Sequence, residues 1–196
     1  MLILADGVQI DLVHDLPEVV EQKRAIIRGE NGKLLYEVKR DSLLNDETVE
    51  ETFNRVVTYV GGDYFLTLSD GTRVWLNADS ELEFPVSFVR NERVVKLQGE
   101  AYFEVQRDVN KPFIVNANGL RTRVLGTSFN VKAYRDEQNV FTTLVKGSVA
   151  VEVLDNGNVP TSRVVLEPGM QAMWHEGSKA ISVQPVNVAN IAAWKD

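Results

Sequence analysis

Chemistry at a protein site begins with nucleophiles, proton carriers and metal ligands, and this chain is sparing with all three. Histidine occurs only at His14 and His175, each near a turn and without a spaced partner, and cysteine is absent. That excludes thiolate catalysis, disulfides and cysteine-bound metal, and leaves little room for an imidazole base or ligand. No Gly-x-Ser-x-Gly elbow, Gly-x4-Gly-Lys phosphate loop, His-Glu-x-x-His helix or calcium loop occurs. Gly126-Thr127-Ser128 comes nearest to a phosphate loop. It lies between two strand patterns instead of ahead of a helix, which reads as a tight connection or bulge.

Acidic pairs are the remaining route to an enzyme, because a glycosidase needs two carboxyls about 5 to 9.5 Å apart. Glu100 and Glu104, four apart on one strand, would stand about 13 Å apart at the rise of an extended chain, and so fail. Glu81 and Glu83 would stand about 6.6 Å apart, but they alternate with Leu82 and Phe84 as the wet face of a strand does. No catalytic, cofactor-binding or metal-binding residue is therefore assigned, and an enzyme is not expected. Trp75 and Tyr102 fall on the faces opposite Leu76 and Phe103. With Tyr134 they are the candidate aromatics for a sugar, another small ligand or a protein partner, although an outward tryptophan is equally open to cover by another layer.

Composition narrows the partners further. The 196 residues carry a formal net charge of −7 at pH 7, which argues against nucleic acid or anionic lipid, since phosphate binding draws on concentrated Lys and Arg. Arg121 and Arg123 come closest to a basic cluster and would share one face of a strand, which reads as a solvated edge. No apolar run is long enough to span a bilayer, and no signal-peptide pattern stands at Met1. A cytosolic protein, or an excised part of a larger one, fits both observations.

The elements that must position these residues are strands. Valine is the commonest residue type, and apolar residues recur with period two in short runs. Such runs are predicted over Tyr64–Leu68, Arg73–Leu76, Val94–Leu97, Ala101–Val105, Pro112–Val115, Phe129–Tyr134, Val140–Val145, Ser148–Leu154, Arg163–Leu166 and Ala180–Val183. Turn dipeptides separate many of them: Asn31-Gly32, Asn118-Gly119, Asn156-Gly157, Pro168-Gly169 and Glu176-Gly177. Short strands at such spacing, without alternating helices, predict an all-β sandwich or β-roll of mostly antiparallel strands with little helix.

LADGVQIDL (Leu4 to Leu12) returns as LSDGTRVWL (Leu68 to Leu76). In the second copy Tyr64, Leu66, Leu68, Val74 and Leu76 are all even-numbered, so both arms of a hairpin must put even residues on one face. A two-residue loop would mix the faces, whereas the three-residue loop Ser69-Asp70-Gly71 pairs Leu66 with Val74 and puts Gly71 in the left-handed position. Ala5-Asp6-Gly7 fits the same loop; a bend between two sheets is the other reading of the repeat. Two stretches resist the strand pattern and are read as irregular: Leu16 to Ile27, with helical spacing, and the polar run Glu47 to Asn54. The tail from Asn187 to Asp196 suits a short helix or a connector.

The blocks GGDYFLTLSDGTRVWLNADSELEFP (Gly61 to Pro85), RVVKLQGEAYFEV (Arg93 to Val105), KPFIV (Lys111 to Val115), VLGTSFNV (Val124 to Val131) and LVKGSVAV (Leu144 to Val151) together resemble FecR-family regulators. The resemblance is to the periplasmic domain of a transmembrane anti-sigma factor of the Bacteroidota type. It implies three parts in this chain: an amino-terminal β segment (1–60), a FecR-like core (61–186) and a connector (187–196) to an absent carboxy-terminal domain. It implies a single-pass inner-membrane protein whose cytoplasmic segment, absent here, binds an extracytoplasmic-function sigma factor. It also implies a periplasmic contact with the signalling domain of a TonB-dependent outer-membrane transporter. Asp70, Gly71, Thr72, Gly99, Glu100, Gly126 and Thr127 are expected to be folding devices of that motif, turns and bends with their caps, and no cofactor is expected. A carbohydrate- or small-ligand-binding β domain is the alternative from another class.

Overall fold

The computed structural model describes residues 1–12, 19–22, 25–30, 33–39, 50–155 and 159–195. Followed along the chain, the strands alternate between two sheets. The hairpin of β1 (Leu2–Ile3) and β2 (Gln9–Ile10) lies in the first sheet, and β3 (Val19–Glu21), β4 (Ala25–Glu30) and β5 (Lys33–Val38) in the second. β6 (Phe53–Val57) returns to the first, β7 (Tyr64–Thr67) and β8 (Arg73–Leu76) to the second, and β9 (Glu81–Pro85) to the first. After β10 (Arg93–Glu104) come four hairpins: β11 (Phe113–Ala117) with β12 (Leu120–Val124), β13 (Ser128–Ala133) with β14 (Asn139–Lys146), β15 (Val149–Leu154) with β16 (Pro160–Leu166), and β17 (Met170–His175) with β18 (Ile181–Pro185). They fall in the first, second, first and second sheet in turn.

Each hairpin lands beside the last one in its own sheet. The first sheet therefore reads β2-β1-β6-β9-β10-β11-β12-β15-β16 and the second β3-β4-β5-β7-β8-β10-β13-β14-β17-β18. β10–β11 and β5–β7 pair in parallel, and the other pairings are antiparallel. The fold is all-β, closed by the one-turn helix α1 (Val188–Ala192) and a 3-10 turn (Ala193–Lys195).

β10 belongs to both sheets. Arg93 to Gln98 pair with β9 and β11, whereas Gly99 to Glu104 pair with β8 and β13. The change of sheet falls at Gly99, with φ +92°, a conformation that side-chain-bearing residues rarely adopt. The sequence reading splits this strand into Val94–Leu97 and Ala101–Val105, because the bend interrupts the alternation without ending the strand.

The core lies between the sheets. Val95, Phe113, Val115 and Val151 point inward from the first, and Leu66, Leu76, Phe103 and Phe129 from the second. Phe103 and Phe129 stack with centroids 5.2 Å apart, and Phe103 also meets Phe113 of the other sheet at 6.0 Å. A buried amide ties in the amino-terminal strands: Asn54 Oδ1 accepts from Ala5 N (3.0 Å) and Gln22 Nε2 (3.2 Å), and its Nδ2 donates to Gln22 Oε1 (2.8 Å) and the Tyr36 hydroxyl (3.0 Å).

Both copies of the repeat are hairpins with the same three-residue loop. Leu2 pairs with Ile10 and Leu66 with Val74, while Gly7 and Gly71 sit at φ +87° and +85°. The first copy lies in the first sheet and the second in the second, so the repeat is two equivalent hairpins and not a bend between sheets. Two expectations need correction. Val19–Glu21 and Ala25–Glu30 are strands despite the helical spacing around them, because Ile27 and Ala25 are buried by pairing with β5. Of the polar run, 50–52 are irregular as expected, but Phe53 and Asn54 open the strand Phe53–Val57, whose polar residues lie on the outer face or, like Asn54, are bonded inside; residues 16–18, 23–24 and 47–49 lie outside the described residues. Leu120–Val124 and Met170–His175 add strands that the apolar pattern does not single out. Asn31-Gly32 and Asn156-Gly157 lie outside the described residues.

Candidate functional site

The residues of the recurring motif form three tie points. In the turn after β7, Asp70 Oδ1 accepts from Thr72 N (2.9 Å) and Oδ2 from the Thr72 hydroxyl (2.7 Å). The same Oδ2 accepts from Arg93 Nη1 at 2.6 Å. Arg93 is 2% exposed, donates also to the carbonyls of Lys111 (2.8 Å) and Gln106 (2.9 Å), and lies over the Phe113 ring. Arg93 is missing from the sequence-derived set, although its parity with Val95 and Leu97 marks an arginine on the inward face of a strand.

The second tie point surrounds the bend of β10. Ser80 Oγ accepts from Glu100 N (2.8 Å), and the Glu100 carboxylate accepts from Asn77 Nδ2 (2.9 Å) on one oxygen and Asn130 Nδ2 (2.8 Å) on the other. One carboxylate thus clasps the end of β8 to β13. At the third, Thr127 Oγ1 donates to Ser148 O (3.0 Å), and Gly126 packs so tightly that a Cβ would come within 2.7 Å of Arg107 Cα.

Of the carboxylates considered for catalysis, Glu100 is held by the two asparagine amides, and Glu81, Glu83 and Glu104 each face a cation. Glu81 bonds Arg55 (3.1 Å) and Glu83 bonds Lys96 (2.7 Å), along a cleft of about 620 Å³ that Arg135 and Asp155 also line. Arg121 and Arg123 lie beside Glu152 (4.0 Å) and Glu92 (2.6 Å). Arg55, Glu83, Lys96, Arg121 and Glu152 belong to a charge ladder on the outer face of the first sheet. Arg55, Glu83, Lys96, Asn116, Arg121, Glu152 and Arg163 follow one another in register across adjacent strands. Opposite charges directly across a strand pair attract, so the ladder supports the pairing that sets it.

The outer face of the second sheet is built differently. One register row runs Phe65, Trp75, Tyr102, Asn130, Thr143, Gln171, Gln184. Phe65, Trp75 and Tyr102 meet edge to face, with centroids 4.7 and 5.8 Å apart. Tyr102, expected on an outward face, is only 3% exposed. The tail crosses this face: α1 packs on β14, and the 3-10 turn sets Lys195 Nζ 4.9 Å from the Trp75 centroid and 5.1 Å from that of Tyr102. Glu104, next along β10 on the same face, lies 3.9 Å from Lys195 Nζ. Sequence reasoning names both rings but not the lysine that covers them, which comes from more than ninety positions away.

Tyr134 does not join that pair. Its hydroxyl donates to Ala78 O (3.0 Å), and burial raises its phenol pKa. His175 is exposed, with Nδ1 3.0 Å from Asn139 Oδ1, while His14 lies outside the described residues. Among the described residues, no group of three or more His, Asp or Glu side chains is placed to hold a metal ion.

Residues 54–150 match the family described as FecR protein. The chain belongs to the FecR family. Two crystal structures of a "putative anti-sigma factor" from Parabacteroides distasonis ATCC 8503, at 2.50 and 1.65 Å resolution, superpose with TM-scores of 0.67 and 0.66 at 33% identity. The alignments cover 73% and 72% of this chain, and the chain spans 64% of the length of each of those proteins. No curated protein matches the chain. All three tie points, at Asp70, Glu100 and Thr127, fall inside the FecR match. The Lys195 contact joins two FecR-region rings to a tail beyond it.

Proposed function

We propose that this FecR-family chain is the periplasmic signal-transducing domain of a transmembrane anti-sigma factor. In this reading it contacts the signalling domain of a TonB-dependent outer-membrane transporter and relays that signal to an extracytoplasmic-function sigma factor. The observation that carries it is the FecR match over residues 54–150, supported by the likeness at 33% identity to the Parabacteroides structures. The geometry is in keeping with a scaffold that acts through protein contacts. Motif carboxylates bind backbone amides, arginine or asparagine within the fold, and those of the first sheet face cations across strands.

A relay of this kind works only by differential binding: the domain must bind the signalling form of its partner and the resting form with different free energy. No helix among the described residues is long and apolar enough to cross a membrane, so in this reading the sigma-factor contact and the membrane span belong to other segments. The sugar-stacking alternative would use Trp75 and Tyr102, which Lys195 overlies, and no observation favours it. Pull-down of the full-length protein with the purified signalling domain of a transporter encoded beside it tests the proposal, together with a sigma-dependent reporter. Capture, and a reporter response that requires this domain, are expected. Failure to capture any such signalling domain, with an unresponsive reporter, would overturn it.

A further inference from the structure

The outer row of the second sheet ends in a ready-made cation seat. Trp75 and Tyr102 are paired in register, and their rings stand edge to face at 5.8 Å. Two positions along β10 from Tyr102, Glu104 adds a carboxylate on the same face. Lys195 Nζ lies within 5.1 Å of both centroids and 3.9 Å from Glu104, with its side chain 17% exposed. Two electron-rich ring faces and an anion around one ammonium group form the arrangement by which aromatic sites recognise alkylammonium ions. A solvated surface lysine has no reason to give up water for such a position unless the rings and the carboxylate replace that hydration.

We propose that Trp75, Tyr102 and Glu104 form a recognition site for a primary alkylammonium group, filled in cis by Lys195, which makes the tail 187–195 a releasable strap over this face. Three features favour release over permanent packing. Arg73 also bonds Glu104 and lies 5.8 Å over Trp75, so departure of Lys195 does not leave the carboxylate without a cation. The Trp194 indole nitrogen and Asn130 Oδ1, the latter adjacent to Tyr102 in the row, are buried with no hydrogen-bond partner among the described residues. A face that leaves a donor and an acceptor unmet is held less firmly than one that satisfies them. Finally, the strap is short: α1 is one turn, capped by Asn187 Oδ1 on Ala189 N, and cannot persist as an isolated helix in water.

The test uses the full chain and its Lys195→Ala variant, with n-butylammonium chloride as probe and sodium chloride at equal ionic strength as control. The Trp75 indole NH resonance is followed by NMR, and the Trp174 indole serves as a marker of the intact fold. In the variant, the Trp75 signal should move and amides of 187–195 should exchange roughly tenfold faster. Saturable return of the Trp75 signal with n-butylammonium is expected in the variant, weakened by adding Glu104→Gln, and the parent should not respond over the same range. An unmoved Trp75 signal in Lys195→Ala, or identical effects of n-butylammonium and sodium, would overturn the proposal.

Discussion

Arg93 and Asp70 form a buried ion pair, 2.6 Å between Nη1 and Oδ2, that bolts the hairpin turn of one sheet to the first residue of the strand shared by both. The carboxylate already holds the turn through Thr72, so one side chain shapes the loop and neutralises a guanidinium with 2% exposure. Removing the acid while keeping its shape strands that charge. Asp70→Asn should cost about 3 kcal/mol by urea denaturation, and Asp70→Asn with Arg93→Met should cost clearly less than the sum of the two single changes. Additive losses would mean that the two residues act independently.

Gly99 should tolerate no side chain. Beyond its left-handed backbone, an added Cβ would lie 2.2 Å from Ser80 Oγ and 2.7 Å from Ser80 Cα. The second contact is with the main chain, so rotation of the serine does not relieve it. Gly99→Ala should therefore lose about 3 kcal/mol or more, and Ser80→Gly should restore only a part of it. The midpoints of thermal unfolding for the two single variants and the double variant give the comparison.

Alkaline pH should unfold the domain through tyrosines. Burial pushes the Tyr64 phenol up to about 12, and burial raises Tyr36 further although Asn54 donates to its hydroxyl. A raised phenol pKa means that the folded state holds its proton more tightly than the unfolded chain does. The associated stability is complete below the unfolded value near 10 and falls as pH climbs from there towards 12. The Tyr64 hydroxyl is buried without a partner among the described residues, so Tyr64→Phe should change stability little at pH 7 and make the alkaline limb shallower. Denaturation midpoints between pH 7 and 12 provide the check; an unchanged limb would remove Tyr64 from the account.

The legible part of this molecule is whatever depends on neighbours in sequence. Parity alone selects the loop Ser69-Asp70-Gly71, since only that length keeps Leu66 and Val74 on one face, and the structure adopts the register. Alternation likewise locates β13, β14 and β15. What the pattern hides is set by distant partners. Arg93 carries the parity of a core residue, but only the folded chain brings Asp70 to it. Ala25–Glu30 takes strand form because β5 offers a ladder that local spacing does not reveal. The Trp75 and Tyr102 rings are legible as an outward pair, whereas their cover by Lys195 depends on how the tail folds back.

A strand that runs through both sheets also limits how the domain can move. Sliding one layer over the other would have to break the ladder of β10 on one side of Gly99 or distort the bend itself, where Ser80 and Glu100 hold the joint. Shear between layers, a common low-energy motion of packed elements, is thereby closed off. A push delivered at the Arg93 end of β10 travels through covalent backbone to its Glu104 end, beside the Lys195 contact. The two layers are thus joined by one continuous strand, and the Lys195 contact sits on the outer face at the far end of it.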